Sequence, residues 1–404
     1  MLDSLRFWHV KLNIFSTITF ALIILVIIFA DSMISSVPMI QFDAFDNLSN
    51  HRNLLQRRTM LKITAAEDDV AGREEKILRR PENKFKLKLK PEEMRIFEES
   101  DSSRRFDSRA REFFSSNQCK VQVFMTWISP VNSFGEREFF GLETLFETNP
   151  SCCLIILSET MDSREGFKIL EPLIERGFRV RAMTPDLWDM IKNTPAERWL
   201  GEIKNGVKKP GEIPLPQNLS NLIRLAVLYK YGGVYLDTDF IILKDLSSLR
   251  NSIGAQSVDL FGNWTRLNNA ALVFDRSHPL LYKFMGEFAS TFDGNIWGHN
   301  GPYLVSRVVE KVAKTEDFIN FTVLSPMAFY PVDWMKVTGF FTRPSDRVGE
   351  KWVVEKIRQL NGSTYGVHLW NSKSSRLKIE EGSIIDRLID DHCVICIKHN
   401  FSSS

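Results

Sequence analysis

Two aspartates one residue apart, Asp237 and Asp239, carry the strongest chemical signal in the sequence. Carboxylates so placed suit a hard divalent cation, Mn²⁺ or Mg²⁺, with coordination positions left open for phosphate oxygens. Such a cation would act as a Lewis acid on a diphosphate leaving group. The bare pattern is common, because an acidic turn closing a strand looks the same; its setting is what gives it weight. Just upstream, residues 221–231 favour a helix, with Ser220 suited to the N-cap and Gly232 able to stop it in a left-handed conformation. Asn221 and Arg224 stand three apart and so share a face, expected to point away from the packing residues. A short strand from Val234 to Asp239 follows, and its period of two would put both carboxylates on one side at its end.

Elements to position such a site are legible from about residue 118. Strand-length apolar runs (Val121–Trp127, Cys153–Leu157, Phe178–Ala182) alternate with helical patterns at Glu136–Thr148 and Glu165–Arg176, the latter ended by Gly177. Alternation of this kind predicts an α/β domain, a mostly parallel sheet with helices on both faces, and ligands at the carboxyl ends of the strands.

The N-terminus reads differently. Leu12–Ala30 holds no charge, and its nineteen positions would span roughly 28 Å, close to a bilayer core. Arg6 and Lys11 precede it and no small-x-small cleavage site follows, which predicts an uncleaved anchor with a cytosolic tail and a lumenal remainder. The expected layout is a tail (1–11), a transmembrane anchor (12–30), a polyampholytic stem (31–117) and a catalytic domain (118–404). Lys+Arg 52 against Asp+Glu 50 leaves a net charge of +2, which removes the electrostatic case for nucleic acid as a partner. Six Asn-x-Ser/Thr triplets (Asn47, Asn218, Asn263, Asn320, Asn361, Asn400) would be open to glycans in a lumen, Asn218 the least because it adjoins the site. Of five cysteines, Cys152 and Cys153 read as core, and Cys393 with Cys396 as a disulfide pair, leaving one over.

The helix, double glycine, strand and Asp-Thr-Asp together resemble the core of glycosyltransferase family 32, the alpha-1,4-glycosyltransferase group, in its plant form. Asn268–Phe274, Trp297–Pro302, Ala328–Pro331 and Val367–Asn371 extend the likeness from about Phe124 to about Leu388. The resemblance implies a GT-A (Rossmann-like) fold in a single-pass type II Golgi membrane protein with a lumenal catalytic domain. It further implies a divalent metal, a UDP-sugar donor and a glycolipid or glycan acceptor. Carried over by position, Asp239 and His368 would bind the metal, and Asp237 the metal or the donor ribose. Asn221, Arg224, Asn300 and Gly301 would face the donor, with Asn269 and His299 at the transferred sugar. The family usually has Ser-Asp-x-x-Arg where this chain has Ser220-Asn221-x-x-Arg224; Asn keeps the size and reach but loses the charge.

The implied reaction is transfer of a hexose with retention, forming an alpha-1,4-type linkage. No carboxylate besides the metal pair presents itself as a nucleophile, so a front-face route is expected. A non-catalytic, membrane-anchored carbohydrate-binding protein on a transferase fold is the alternative. A glycosidase would need two carboxyls flanking a sugar, and this pair is too close.

Overall fold

The structure is a computed structural model that describes residues 98–315 and 319–395. The expected tail, anchor and stem up to residue 97 lie outside the described residues. Among the described residues no helix is long and apolar enough to cross a membrane.

In chain order the elements that matter here are α1 (Phe106–Asn117), β1 (Val121–Thr126), α2 (Glu136–Thr148), β2 (Cys152–Leu157), α3 (Arg164–Glu175), β3 (Arg179–Met183), α4 (Pro195–Lys204), α5 (Leu215–Tyr231), β4 (Gly233–Leu236), β5 (Phe240–Ile242), β6 (Ser252–Val258), β7 (Trp264–Phe274), α6 (Pro279–Thr291), α7 (Pro302–Val312), β8 (Thr322–Leu324), α8 (Arg347–Ser363), β9 (Gly366–His368) and α9 (Ile384–His392). Among the described residues, seven strands form one sheet in the order β3-β2-β1-β4-β7-β6-β8, and β5 pairs with β9 in a second, small one. From β3 to β4 every pairing is parallel; β7 runs antiparallel to both β4 and β6.

Side chains on the central strands alternate between two apolar layers. Val123 and Met125 of β1 pack into one with Leu154 and Ile156 of β2; Phe124, Cys153 and Ile155 face the other. Burial on both faces explains why these strands read as unbroken apolar runs. Helices α2, α8 and α9 cover the first layer, and α1, α4, α5, α6 and α7 the second.

Residues 106–117, assigned to the stem from their charge density, are part of this core. Phe106, Ala110, Phe113 and Phe114 of α1 are all buried, and the spacing i, i+4, i+7, i+8 is that of one helix face. A disulfide joins Cys119, just after α1, to Cys153 of β2. Cys153 is buried in the core as expected but is also disulfide-bonded, while Cys152 is free and buried, its thiol pushed up to about 12 by desolvation. Cys393 is disulfide-bonded as expected; Cys396 lies outside the described residues.

Polar bonds also fix α1. Arg109 donates two bonds of 2.7 Å to the two oxygens of Asp162, which also accepts from the backbone and hydroxyl of Thr184. Burial would raise this carboxyl, but Arg109 and Thr184 hold it below the ordinary aspartate value of 3.8. A depressed carboxyl contributes stability that is complete above its unfolded value and is lost as pH falls through its folded one. Asp162→Asn should therefore cost about 2 kcal/mol near neutrality. In urea unfolding the gap to the parent should narrow as pH falls below the ordinary aspartate value of 3.8; a gap independent of pH would contradict this.

Candidate active site

Helix α5 begins at Leu215, with Pro214 at its N-cap and Pro216 in its first turn, so Ser220 is interior rather than a cap. A proline in the first turn gives up an N–H that has no helical partner there, and this overrides the serine signal. Ser220 instead accepts from Arg224, through its carbonyl (3.1 Å) and its hydroxyl (3.0 Å). Gly232 ends the helix at φ +72, and Gly233 follows at φ +106, where a Cβ would lie 2.4 Å from the Gln122 carbonyl. Only glycine permits both that backbone and that approach to β1.

Strand β4 stops at Leu236. Asp237 and Asp239 thus occupy the turn between β4 and β5, not a strand end with period two. The chain switches sheets here: Asp237 N still bonds to Ala270 O of β7 (2.8 Å), while Phe240 already pairs with His368 of β9. That register is what brings His368 to the aspartates. Its Nε2 lies 3.3 Å from Asp239 Oδ1, and one ligand atom each from Asp237, Asp239 and His368 falls within 4.8 Å of the others.

Arg224 does not point away from the packing. Its side chain is buried, 4.7 Å over the Tyr235 ring, with five acceptors around its five N–H donors. Beside the two from Ser220 these are both Asp237 oxygens (3.2 and 3.1 Å) and the Asn269 carbonyl (2.9 Å). Its donors are thus spent on orienting Asp237 and the Asn269 backbone. Tyr235 adds a hydroxyl bond of 2.9 Å to Asp237 Oδ1. Tyr235 and Asp237 are two apart, a spacing that could have pointed to this pairing from the sequence.

The two carboxyls diverge electrostatically. Burial pushes Asp237 above the ordinary range, against the pull of Arg224. Burial acts on Asp239 too, but His368 and the Asn371 backbone N–H (2.8 Å) hold it below that range. His368 is boxed in by Phe240, Trp370 and Tyr330, and its Nδ1 is buried with no hydrogen-bond partner. Two carboxylates and one imidazole, converging with a single guanidinium behind them, fit a divalent cation by charge and by ligand type.

Asn221 and Asn269 join the same cluster. Asn269 Nδ2 donates to Asn221 Oδ1 at 2.9 Å, and a Cβ at Gly301 would lie 2.7 Å from that oxygen, so the 298–301 turn is pressed against the pair. His299 and Asn300 turn elsewhere. His299 Nε2 bonds the Thr291 carbonyl, while Asn300 Nδ2 donates to Asn218 Oδ1 and the Asp293 carbonyl. Asn218 is itself buried, which shields that glycosylation triplet. Trp297 is 62% exposed; Trp370 is buried with its Nε1 on the Val332 carbonyl.

At the carboxyl ends of β1, β2 and β3 lies a cavity of about 400 Å³, whose lining does not include Asp237, Asp239 or His368. Phe124 of β1 pairs with Tyr235 of β4, so Thr126, which lines the cavity, is level with Asp237. Ile223, beside Arg224, also lines it.

Two family models match the chain. Residues 135–259 match a glycosyltransferase sugar-binding region containing DXD motif, and residues 273–400 match an alpha 1,4-glycosyltransferase conserved region. A lactosylceramide 4-alpha-galactosyltransferase of Pongo pygmaeus is 35% identical over 210 residues, 50% of this chain and 88% of that protein. The chain belongs to the alpha-1,4-glycosyltransferase family. Within that family, an uncharacterized Arabidopsis thaliana protein is 30% identical over 292 residues, 70% of this chain and 43% of its own length. A human alpha-1,4-N-acetylglucosaminyltransferase is 27% identical over 219 residues, 52% of this chain and 58% of that protein. The chain spans about half the length of most curated relatives it matches. In this alpha-1,4-glycosyltransferase family member the first matched region contains Asp237 and Asp239, and the second contains His368.

Proposed function

We propose that the chain is a metal-dependent, retaining GT-A glycosyltransferase that moves a hexose from a UDP-sugar to a glycolipid or glycan acceptor, forming an alpha-1,4-type linkage. The observation that carries this reading is the convergence of Asp237, Asp239 and His368, with a cavity at the strand ends. Bound there, Mn²⁺ or Mg²⁺ supplies Lewis-acid stabilisation to the departing diphosphate.

The protein's own groups set up the reaction by position and charge. Asp239 Oδ1 and His368 Nε2, 3.3 Å apart, would hold the metal together with Asp237, and the Asn371 N–H fixes Asp239. Arg224 fixes Asp237 from behind and keeps positive charge close to the diphosphate. Asn221, Asn269 and Gly301 form the surface on which the transferred sugar rests, since they touch one another and the Arg224 partners. The cavity takes the nucleoside. On a front-face route the acceptor oxygen bonds to the anomeric carbon on the face from which the phosphate oxygen leaves. That oxygen takes the acceptor proton, so the protein need supply no strong base. The natural setting proposed is the Golgi lumen, behind the apolar segment at residues 12–30.

A panel of UDP-galactose, UDP-glucose and UDP-N-acetylglucosamine, read as UDP release with Mn²⁺, tests the reading. One donor should be turned over faster than the rest, and EDTA should remove at least about 99% of the rate, as expected when a Lewis acid worth several kcal/mol is lost. Full activity in EDTA would contradict it. Metal-dependent UDP binding without any turnover would favour the non-catalytic, carbohydrate-binding alternative.

A further inference from the structure

The cavity at the strand ends has one wall that comes from ahead of the core. Glu98, Glu99, Ser100 and Ser103 line it. This segment is held in place at both ends of a reciprocal cap: Ser100 Oγ accepts from Ser103 N at 3.1 Å, and Ser103 Oγ accepts from Ser100 N at 3.0 Å. Ser103 is buried, and Phe106, three residues on, is wholly so. The lining also has apolar members, among them Trp127, Leu219 and Ile223.

Charge is distributed unevenly across the site. The cavity lining includes three carboxylates, those of Glu98, Glu99 and Glu159, and no lysine or arginine, although Arg104 comes within 3.9 Å of Glu99 in an exposed, weak pair. A diphosphate is repelled from such a space, whereas a neutral heteroaromatic ring can lie on the apolar lining and give its N–H edge to a carboxylate. On the far side, past Ile223 and Thr126, Arg224 is paired with Asp237, and a cation held by the cluster would add positive charge there. With the cation bound, this gradient would favour a sugar nucleotide with its base inward and its phosphates at the cluster.

We propose that Glu98–Ser103 is the base-reading wall of the donor site: its carboxylates accept from the nucleobase and bar phosphate from the cavity. This rests on the donor reading above. The segment directly precedes the first core helix, so the junction between stem and domain becomes part of the specificity pocket.

Calorimetry on the full chain with Mn²⁺, using UDP and inorganic diphosphate as separate probes, tests the proposal. Glu98 and Glu99 are exposed, so substitution there should leave the melting temperature unmoved. Glu98→Ala/Glu99→Ala should weaken UDP binding by about fivefold, the scale of one hydrogen bond to a charged acceptor, and leave diphosphate binding unchanged. Glu98→Lys/Glu99→Lys should weaken UDP and tighten diphosphate, opposite shifts that a merely structural role would not produce. Unchanged UDP affinity in both variants overturns the inference while the donor reading stands. A parent chain that binds diphosphate but gains nothing from the uridine also overturns it. A parent that binds neither probe overturns the donor reading itself.

Discussion

Asp239→Ala should lower sugar transfer by on the order of 10³-fold, the scale of losing a charge-stabilising group aimed at a leaving anion. Asp239 is the cluster carboxyl held in its anionic form, below the ordinary range, and its Oδ1 lies 3.3 Å from His368 Nε2. Without it, the metal position keeps one carboxylate, and that one is already engaged by Arg224. The structural cost should be small by comparison, because the fold gives up chiefly the carboxylate cap on Asn371 N, worth about 1 kcal/mol. Asp239→Asn keeps an acceptor for that N–H while removing the charge. It should match the alanine variant in activity and the parent in melting temperature. A rate within tenfold of the parent in both variants would contradict the assignment.

Arg224→Met should be the most destabilising single change in the site, by about 3 kcal/mol, because it leaves a partly buried carboxylate without its partner. Both Asp237 oxygens would be left without the guanidinium, and the Ser220 and Asn269 carbonyls without their donor. In a domain of this size the melting temperature should fall by roughly 10 °C, and activity should fall with it because Asp237 is no longer oriented. Arg224→Lys supplies one charge but three donors for five acceptors, so it should recover part of the stability and little of the activity. Differential scanning calorimetry of the two variants checks this; a parent-like melting temperature for Arg224→Met would contradict it.

Much of the framework was legible because strong local signals agree with the fold. The helix at Glu136–Thr148 has the predicted bounds, and the first two strands begin within one residue of where their apolar runs begin. Three features were not legible, each for a physical reason. Helix α1 hides its apolar face among charges, so its composition places it with the stem although Phe106, Ala110, Phe113 and Phe114 keep helical spacing. The Cys119–Cys153 bond depends on where α1 lies over β2, a tertiary fact that spacing does not encode. Ser220 looked like a helix start, but the prolines at 214 and 216 set the start earlier and freed the serine to hold Arg224.

The site itself was half legible. The aspartates announce themselves; their geometry does not, because it arises from the chain leaving one sheet for another between Leu236 and Phe240. His368 came from family likeness, and its physical cause is the Phe240–His368 register of the small sheet. Arg224 was expected at the ligand, yet its donors are turned inward to the protein.

Anomalous X-ray scattering at the manganese edge, on crystals of the catalytic unit grown with Mn²⁺ and UDP, tests the central claim most directly. The account predicts one strong peak among Asp237, Asp239 and His368, lost in the Asp239→Ala crystal. An active protein whose crystals show manganese elsewhere and none between those three side chains would contradict it.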